Sequence, residues 1–120
     1  MKRTLNVVIM MLVVVMQAYS QETTQQNSFQ VAVTGEGQAI LYFPGFSIGG
    51  SIFEETIDQL DIKGQNHTFT FAGFDGIKPI AMPWYSTIKD DIKTYIEEQA
   101  LEGVILIGHS MGGNLALDLA

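Results

Sequence analysis

The chain predicts an α/β fold, a mostly parallel sheet flanked by helices and opening on a β-hairpin. Three observations predict it. Short apolar or alternating runs take turns with segments whose apolar residues recur at helical spacing, and that alternation implies parallel strands with helices on both faces. Glycine-rich turns separate the runs. The composition is that of a packed domain: 47% of the 120 residues are hydrophobic and 16% are charged, which excludes a disordered chain.

Phe29, Val31 and Val33 alternate with Gln30, Ala32 and Thr34, the pattern of a half-buried strand. Gly35-Glu36-Gly37 then reads as a turn, and Ala39–Phe43 (AILYF) as the returning strand of a hairpin. Pro44-Gly45 ends it. Ser51 with Glu54 has capping-box spacing, so a helix is expected from Ser51 through Asp61, stopped by Gly64. His67–Phe71 (HTFTF) reads as a strand. After the loop Ala72–Trp84, Ser86 is expected to cap a second helix. Ile88, Ile92, Tyr95 and Ile96 line one face of that helix. Gly103 stops it. Val104–Ile107 (VILI) is continuously apolar, as in a strand covered on both faces. Gly108–Gly113 turns into a third helix at Asn114, which reaches Ala120 with neither cap nor glycine stop. A continuation beyond Ala120 is therefore expected, and the domain is read as truncated after the turn at Ser110.

Lys2 and Arg3 precede the apolar run Val7–Met16, and Ala18-Tyr19-Ser20 offers small residues at a cut before Gln21. These are the marks of a secretory signal peptide. Spanning a bilayer takes about 20 apolar residues, and this run ends sooner, at Gln17. The organisation expected is residues 1–20 as signal, 21–28 as a flexible polar lead-in, and 29–120 as the N-terminal part of one domain. The product is expected to be secreted or periplasmic, with no stable membrane association once the signal is cut after Ser20; a retained signal anchor is the alternative. The net charge of −7, without a basic run, excludes a nucleic-acid partner. Absence of cysteine excludes disulfides, thiolate metal sites and a thiol nucleophile. No metal ligand set and no cofactor motif is read in the sequence.

The chemistry concentrates in Gly108-His109-Ser110-Met111-Gly112. G-x-S-x-G is short enough to occur by chance, but here it follows an apolar strand and opens a helix. Two glycines allow a tight strand-to-helix turn with Ser110 at its apex. The Met111 N–H then lies at a helix N-terminus, where free donors and the positive dipole end favour a developing oxyanion. Upstream, Phe43-Pro44-Gly45-Phe46-Ser47 also leaves a strand. Gly45 permits close backbone approach there, and the Phe46 N–H is a second candidate donor.

Strand-PGF, strand-AGFDG and strand-GHSMGG, in that order from Phe29 to Ala120, resemble the N-terminal half of an α/β-hydrolase of the single-domain, carboxylesterase-like group. The resemblance implies Ser110 as nucleophile and Phe46 and Met111 as oxyanion-hole amides. Pro44 stands where many members carry histidine, a side chain that is not the oxyanion donor. The triad acid and histidine follow the nucleophile in this fold, so both are expected beyond Ala120, and the 120 residues alone are expected to be inactive. The implied activity is hydrolysis of a small-molecule ester, amide or thioester without cofactor. A cofactor-free haloperoxidase or a carbon–carbon hydrolase on the same scaffold, and a non-catalytic binding protein, are the alternatives.

Other residues take plainer readings. His109 adjoins the nucleophile, but the sharp turn is expected to aim it into packing. His67 reads as a solvated or capping histidine. Asp75 precedes the serine, the wrong order for a triad acid, and reads as a turn former. Phe46, Ile48, Phe74 and Trp84 read equally as pocket lining or loop packing. The substrate, the substrate-binding residues and the oligomeric state are not specified by the sequence.

Overall fold

The computed structural model describes residues 22–25 and 28–120. The segment expected to be an export signal, residues 1–20, lies outside the described residues. The strands are β1 (Glu22–Gln25), β2 (Phe29–Thr34), β3 (Ala39–Phe43), β4 (Gln65–Phe71) and β5 (Ile105–Gly108). A 3₁₀ turn (Gly50–Phe53) leads into α1 (Glu54–Gln59); α2 spans Trp84–Glu98 and α3 spans Met111–Leu119. The sheet order is β1-β2-β4-β3-β5. β1, β2 and β4 pair antiparallel, and β4, β3 and β5 pair parallel.

The sheet does open on an antiparallel pair, but its members are β1 and β2 rather than β2 and β3. β4 inserts between the two strands that the turn at Gly35–Gly37 suggested as partners. Four residues extend to about 13 Å, enough to cross the roughly 10 Å that separates strands two places apart. The connection is packed onto the start of β4: Gln65 N–H donates to Gln38 O at 2.8 Å. β1 also replaces part of the flexible lead-in. Backbone pairing needs no apolar side chain, and Thr23 and Thr24 are β-branched residues that suit a strand.

β3 is buried along its whole length, as a central strand between two parallel neighbours requires. Its alternating side chains feed two cores. Ala39, Leu41 and Phe43 join Phe29, Val31, Phe69 and Phe71 beneath Ile88, Ile92 and Tyr95 of α2 and Leu115 of α3. On the other face Ile40 and Tyr42 pack on Phe53, with Ile57 and Ile62 at the margin. The larger core is aromatic: Phe69 meets Phe29, Phe43 and Tyr95 edge-on with ring centroids 5.0, 5.1 and 5.6 Å away.

Two expected caps are absent. Ser51 lies inside the 3₁₀ turn, whose N-cap is Gly49, and makes no capping bond there. α2 begins at Trp84, two residues before Ser86, behind the extended backbone of Pro83. The fixed φ of proline prepares the entry, and Thr87 Oγ1 donates to the Pro83 carbonyl at 2.6 Å. β5 also departs from its reading. Ile105 is 47% and Ile107 36% exposed, because β5 is the edge of the described sheet and α1 does not reach over it.

Candidate active site

Parallel β3, β4 and β5 bring their C-terminal ends to one edge of the sheet. The segments that leave them (44–49, 72–83 and 109–111) therefore gather there, where open α/β sheets bind their ligands. Register sets the meeting point. Phe43 pairs with Gly108, and the His109 N–H donates to the Phe43 carbonyl at 3.0 Å. The chain then reverses at once into α3, with Gly112 N–H on His109 O at 3.0 Å and Gly113 N–H on Ser110 O at 2.9 Å.

Ser110 stands at the apex with φ 55° and ψ −120°. A side chain in that region costs about 1–3 kcal/mol and persists only where the surroundings impose it. Here the imposing contacts are at the glycines. A Cβ on Gly108 would sit 2.2 Å from the Gly112 carbonyl oxygen, and one on Gly112 would sit 2.0 Å from the Phe43 oxygen. Strand and helix therefore approach closely, and the apex residue takes the bend and projects outward. Ser110 is exposed.

The upstream loop closes on it. A Cβ on Gly45 would lie 3.4 Å from Ser110 Cβ and 3.1 Å from His109 Nδ1. Ser47 at φ 63° and the bond from Ile48 N–H to Gly45 O at 3.4 Å make a tight turn of Gly45–Ile48. Phe46 and Met111 thus flank the serine from β3 and α3. Among the described residues neither amide has a hydrogen-bond acceptor in the protein. Met111, as the first residue of α3, has none available within its helix.

Beside the serine lies a cleft of about 430 Å³, lined among others by Phe46, Phe74, Met82, Trp84, Tyr85 and Met111. Phe46 meets Phe74 at 5.0 Å between ring centroids, and Phe74 meets Trp84 at 5.2 Å. Of the four residues weighed as pocket lining, Phe46, Phe74 and Trp84 are there and Ile48 is not. Met82 and Tyr85 went unread, since nothing in their local pattern separates them from ordinary loop and helix residues.

The two histidines take other places than expected. His109 is exposed and lies against Gly45 rather than in a core. His67 is buried, not solvated. Its Nδ1 is 2.8 Å from the Tyr95 hydroxyl and its Nε2 is 3.0 Å from Gln65 Oε1. Gln65 Oε1 can only accept, so Nε2 carries the proton and Nδ1 accepts from Tyr95. Burial pushes the His67 pKa down from 6.5 and that of Tyr95 up to about 12. The signal was available: His67 shares the period of two with Phe69 and Phe71, which places it on the core face. Among the described residues no histidine or carboxylate hydrogen-bonds the Ser110 hydroxyl. Asp75, at φ 45°, is a turn residue in a left-handed conformation.

No protein-family model matches the chain. Over 102 residues it is 32% identical to the AB hydrolase superfamily protein YisY of Bacillus subtilis, covering 80% of this chain and 37% of that one. The chain has the α/β-hydrolase fold. The structure of an esterase from Exiguobacterium antarcticum superposes with a TM-score of 0.65 at 26% identity, covering 76% of this chain and 35% of the esterase. An epoxide hydrolase from Bacillus megaterium superposes with a TM-score of 0.67 at 20% identity, covering 82% and 37%, and shares the fold. The chain spans about a third of the length of the curated relatives it matches.

Proposed function

We propose that this chain is the nucleophile-bearing part of an exported serine hydrolase that cleaves a carboxylic ester through an acyl-enzyme on Ser110. The observation that carries the reading is the backbone of Ser110, φ 55° and ψ −120°, at the N-terminus of α3. A structural turn has no use for a strained, exposed serine at that point, whereas a nucleophile gains reach from it. Ser110 Oγ attacks the ester carbonyl, and its proton passes to a base. The carbonyl oxygen takes up negative charge between the Phe46 and Met111 amides. Collapse of the tetrahedral intermediate releases the alcohol, and water then hydrolyses the acyl-serine by the same route. One such donor contributes about 3–4 kcal/mol of transition-state stabilisation. Neither His67 nor His109 is engaged with Ser110, so the base and its orienting carboxylate are assigned to the part of an α/β-hydrolase that follows this match. The esterase among the structural neighbours supports the ester as substrate, and the charged, apolar and small-residue order of residues 1–20 supports export.

The test is labelling of the full-length protein with a small alkyl fluorophosphonate, followed by mass analysis. We expect one adduct, on Ser110, in a product that begins at Gln21. Ser110→Ala should lose the adduct and reduce ester turnover at least 1,000-fold, the scale on which triad members act. An adduct that survives Ser110→Ala would overturn the nucleophile.

A further inference from the structure

The cleft beside Ser110 differs from the serine itself in one respect: the surface it exposes is apolar, and most of its polar groups are engaged elsewhere. The Ala72 N–H donates to Ser28 O at 2.8 Å, the Gly73 N–H to Ile77 O at 3.0 Å and the Phe74 N–H to Phe71 O at 3.1 Å. The two polar side-chain groups in the lining are engaged as well. Trp84 Nε1–H donates to the Ala72 carbonyl at 2.8 Å, and the Tyr85 hydroxyl donates to Asp118 Oδ2 at 2.8 Å. Pro79, also in the lining, has no amide hydrogen. What faces the cleft is ring and thioether surface from Phe46, Phe74, Trp84, Met82 and Met111. Among the described residues the amides of Phe46 and Met111, the pair assigned to the oxyanion, are unpaired at its mouth, and those of Met82, Trp84 and Tyr85, at the entry to α2, also lack an acceptor.

We infer that this cleft selects an ester whose apolar part is uncharged and of medium length or aromatic, seated against Phe74, Met82 and Trp84 while the carbonyl is held at Ser110. The inference rests on the proposed role of Ser110. A charged or strongly hydrogen-bonding group entering here would leave its water for ring and thioether surface, which is costly. An aliphatic chain or ring would replace water on surfaces that cannot hold it well. About 430 Å³ is nearly three times a cavity that takes one benzene ring, so a chain of several carbons or a fused ring fits and acetate leaves most of the cleft unfilled. Met82, 83% exposed, forms the rim.

The experiment uses the full-length protein and two series of esters. One series varies the acyl group from acetate to octanoate with p-nitrophenol fixed, and the other varies the alcohol with acetate fixed. In the series whose variable part enters the cleft, kcat/KM should rise about two- to fourfold per methylene until the cleft is filled. A terminal carboxylate on the same chain should remove that gain. Met82→Lys should flatten the preference for long chains and improve the carboxylate-ended ester relative to its neutral counterpart. Phe74→Ala should shift the optimum to longer or bulkier groups. Ser110 labelling with unchanged kcat/KM across both series would overturn the cleft and leave the nucleophile standing. Loss of Ser110 labelling would overturn the nucleophile and the cleft's role with it.

Discussion

His67 illustrates how a single buried side chain sets a pH limit. Its neutral ring is the folded form, accepting from Tyr95 and donating to Gln65. Burial lowers its pKa below 6.5, so between the two values the unfolded chain binds a proton that the folded chain does not. Stability from this site is complete above pH 6.5 and declines as the pH falls below it. We expect the melting temperature of the full-length protein to drop between pH 7 and pH 5. His67→Gln, which keeps a polar group but cannot titrate, should lower stability at pH 7 and shrink that drop. An unchanged pH profile in the variant would show that other groups set it. At the same scale, the strain at Ser110 and the contacts at Gly112 are two aspects of one bend, with the hydroxyl presented by backbone shape alone.

At the scale of elements, β3 holds the molecule together. Leu41 is wholly buried and pairs with His67 of β4 on one side and Leu106 of β5 on the other. Leu41→Ala should cost about 2–5 kcal/mol, read as a lowered denaturant midpoint with an unchanged slope. Ile57→Ala, on α1 at the partly covered margin of the second core, should cost less than half as much. Much of this architecture was legible in the sequence. Period-two runs located β2 and β4, the unbroken run Ala39–Phe43 located the central strand, and Ile88, Ile92 and Tyr95 marked the buried face of α2. The turn at Ser110 was legible because the close approach of β5 and α3 demands glycines at 108 and 112. Pairing was not legible, because Gly35–Gly37 fits a hairpin and a one-strand jump equally well, and only the third strand decides. The serines at 51 and 86 have capping residue type but stand past the turn where the helix begins. β1 left no apolar trace, since its bonds are made by backbone.

For the whole molecule, the C-terminal side of the sheet carries the proposed chemistry and β5 carries the exposure. Ile105 and Ile107 on one face, with Leu117 (77% exposed) on α3, leave apolar surface beside a strand edge that is unpaired among the described residues. Such edges recruit further strands. Residues 21–120 expressed alone should therefore self-associate, seen as concentration-dependent mass by light scattering, and should hydrolyse no ester. Ile107→Lys should reduce the association, because a charge on an edge strand opposes pairing with another copy. A monomer of the unaltered segment with a sharp melt would refute this.

Gly108, Gly112 and the Phe43 carbonyl shape the bend, and the serine hydroxyl holds nothing in place. The apex is thus a socket, and the group it carries is exchangeable. If Ser110 is the nucleophile proposed above, a lineage with such a socket can try a new reactive atom by one codon change, with little of the scaffold depending on the atom replaced. Its reaction repertoire can then drift faster than its architecture.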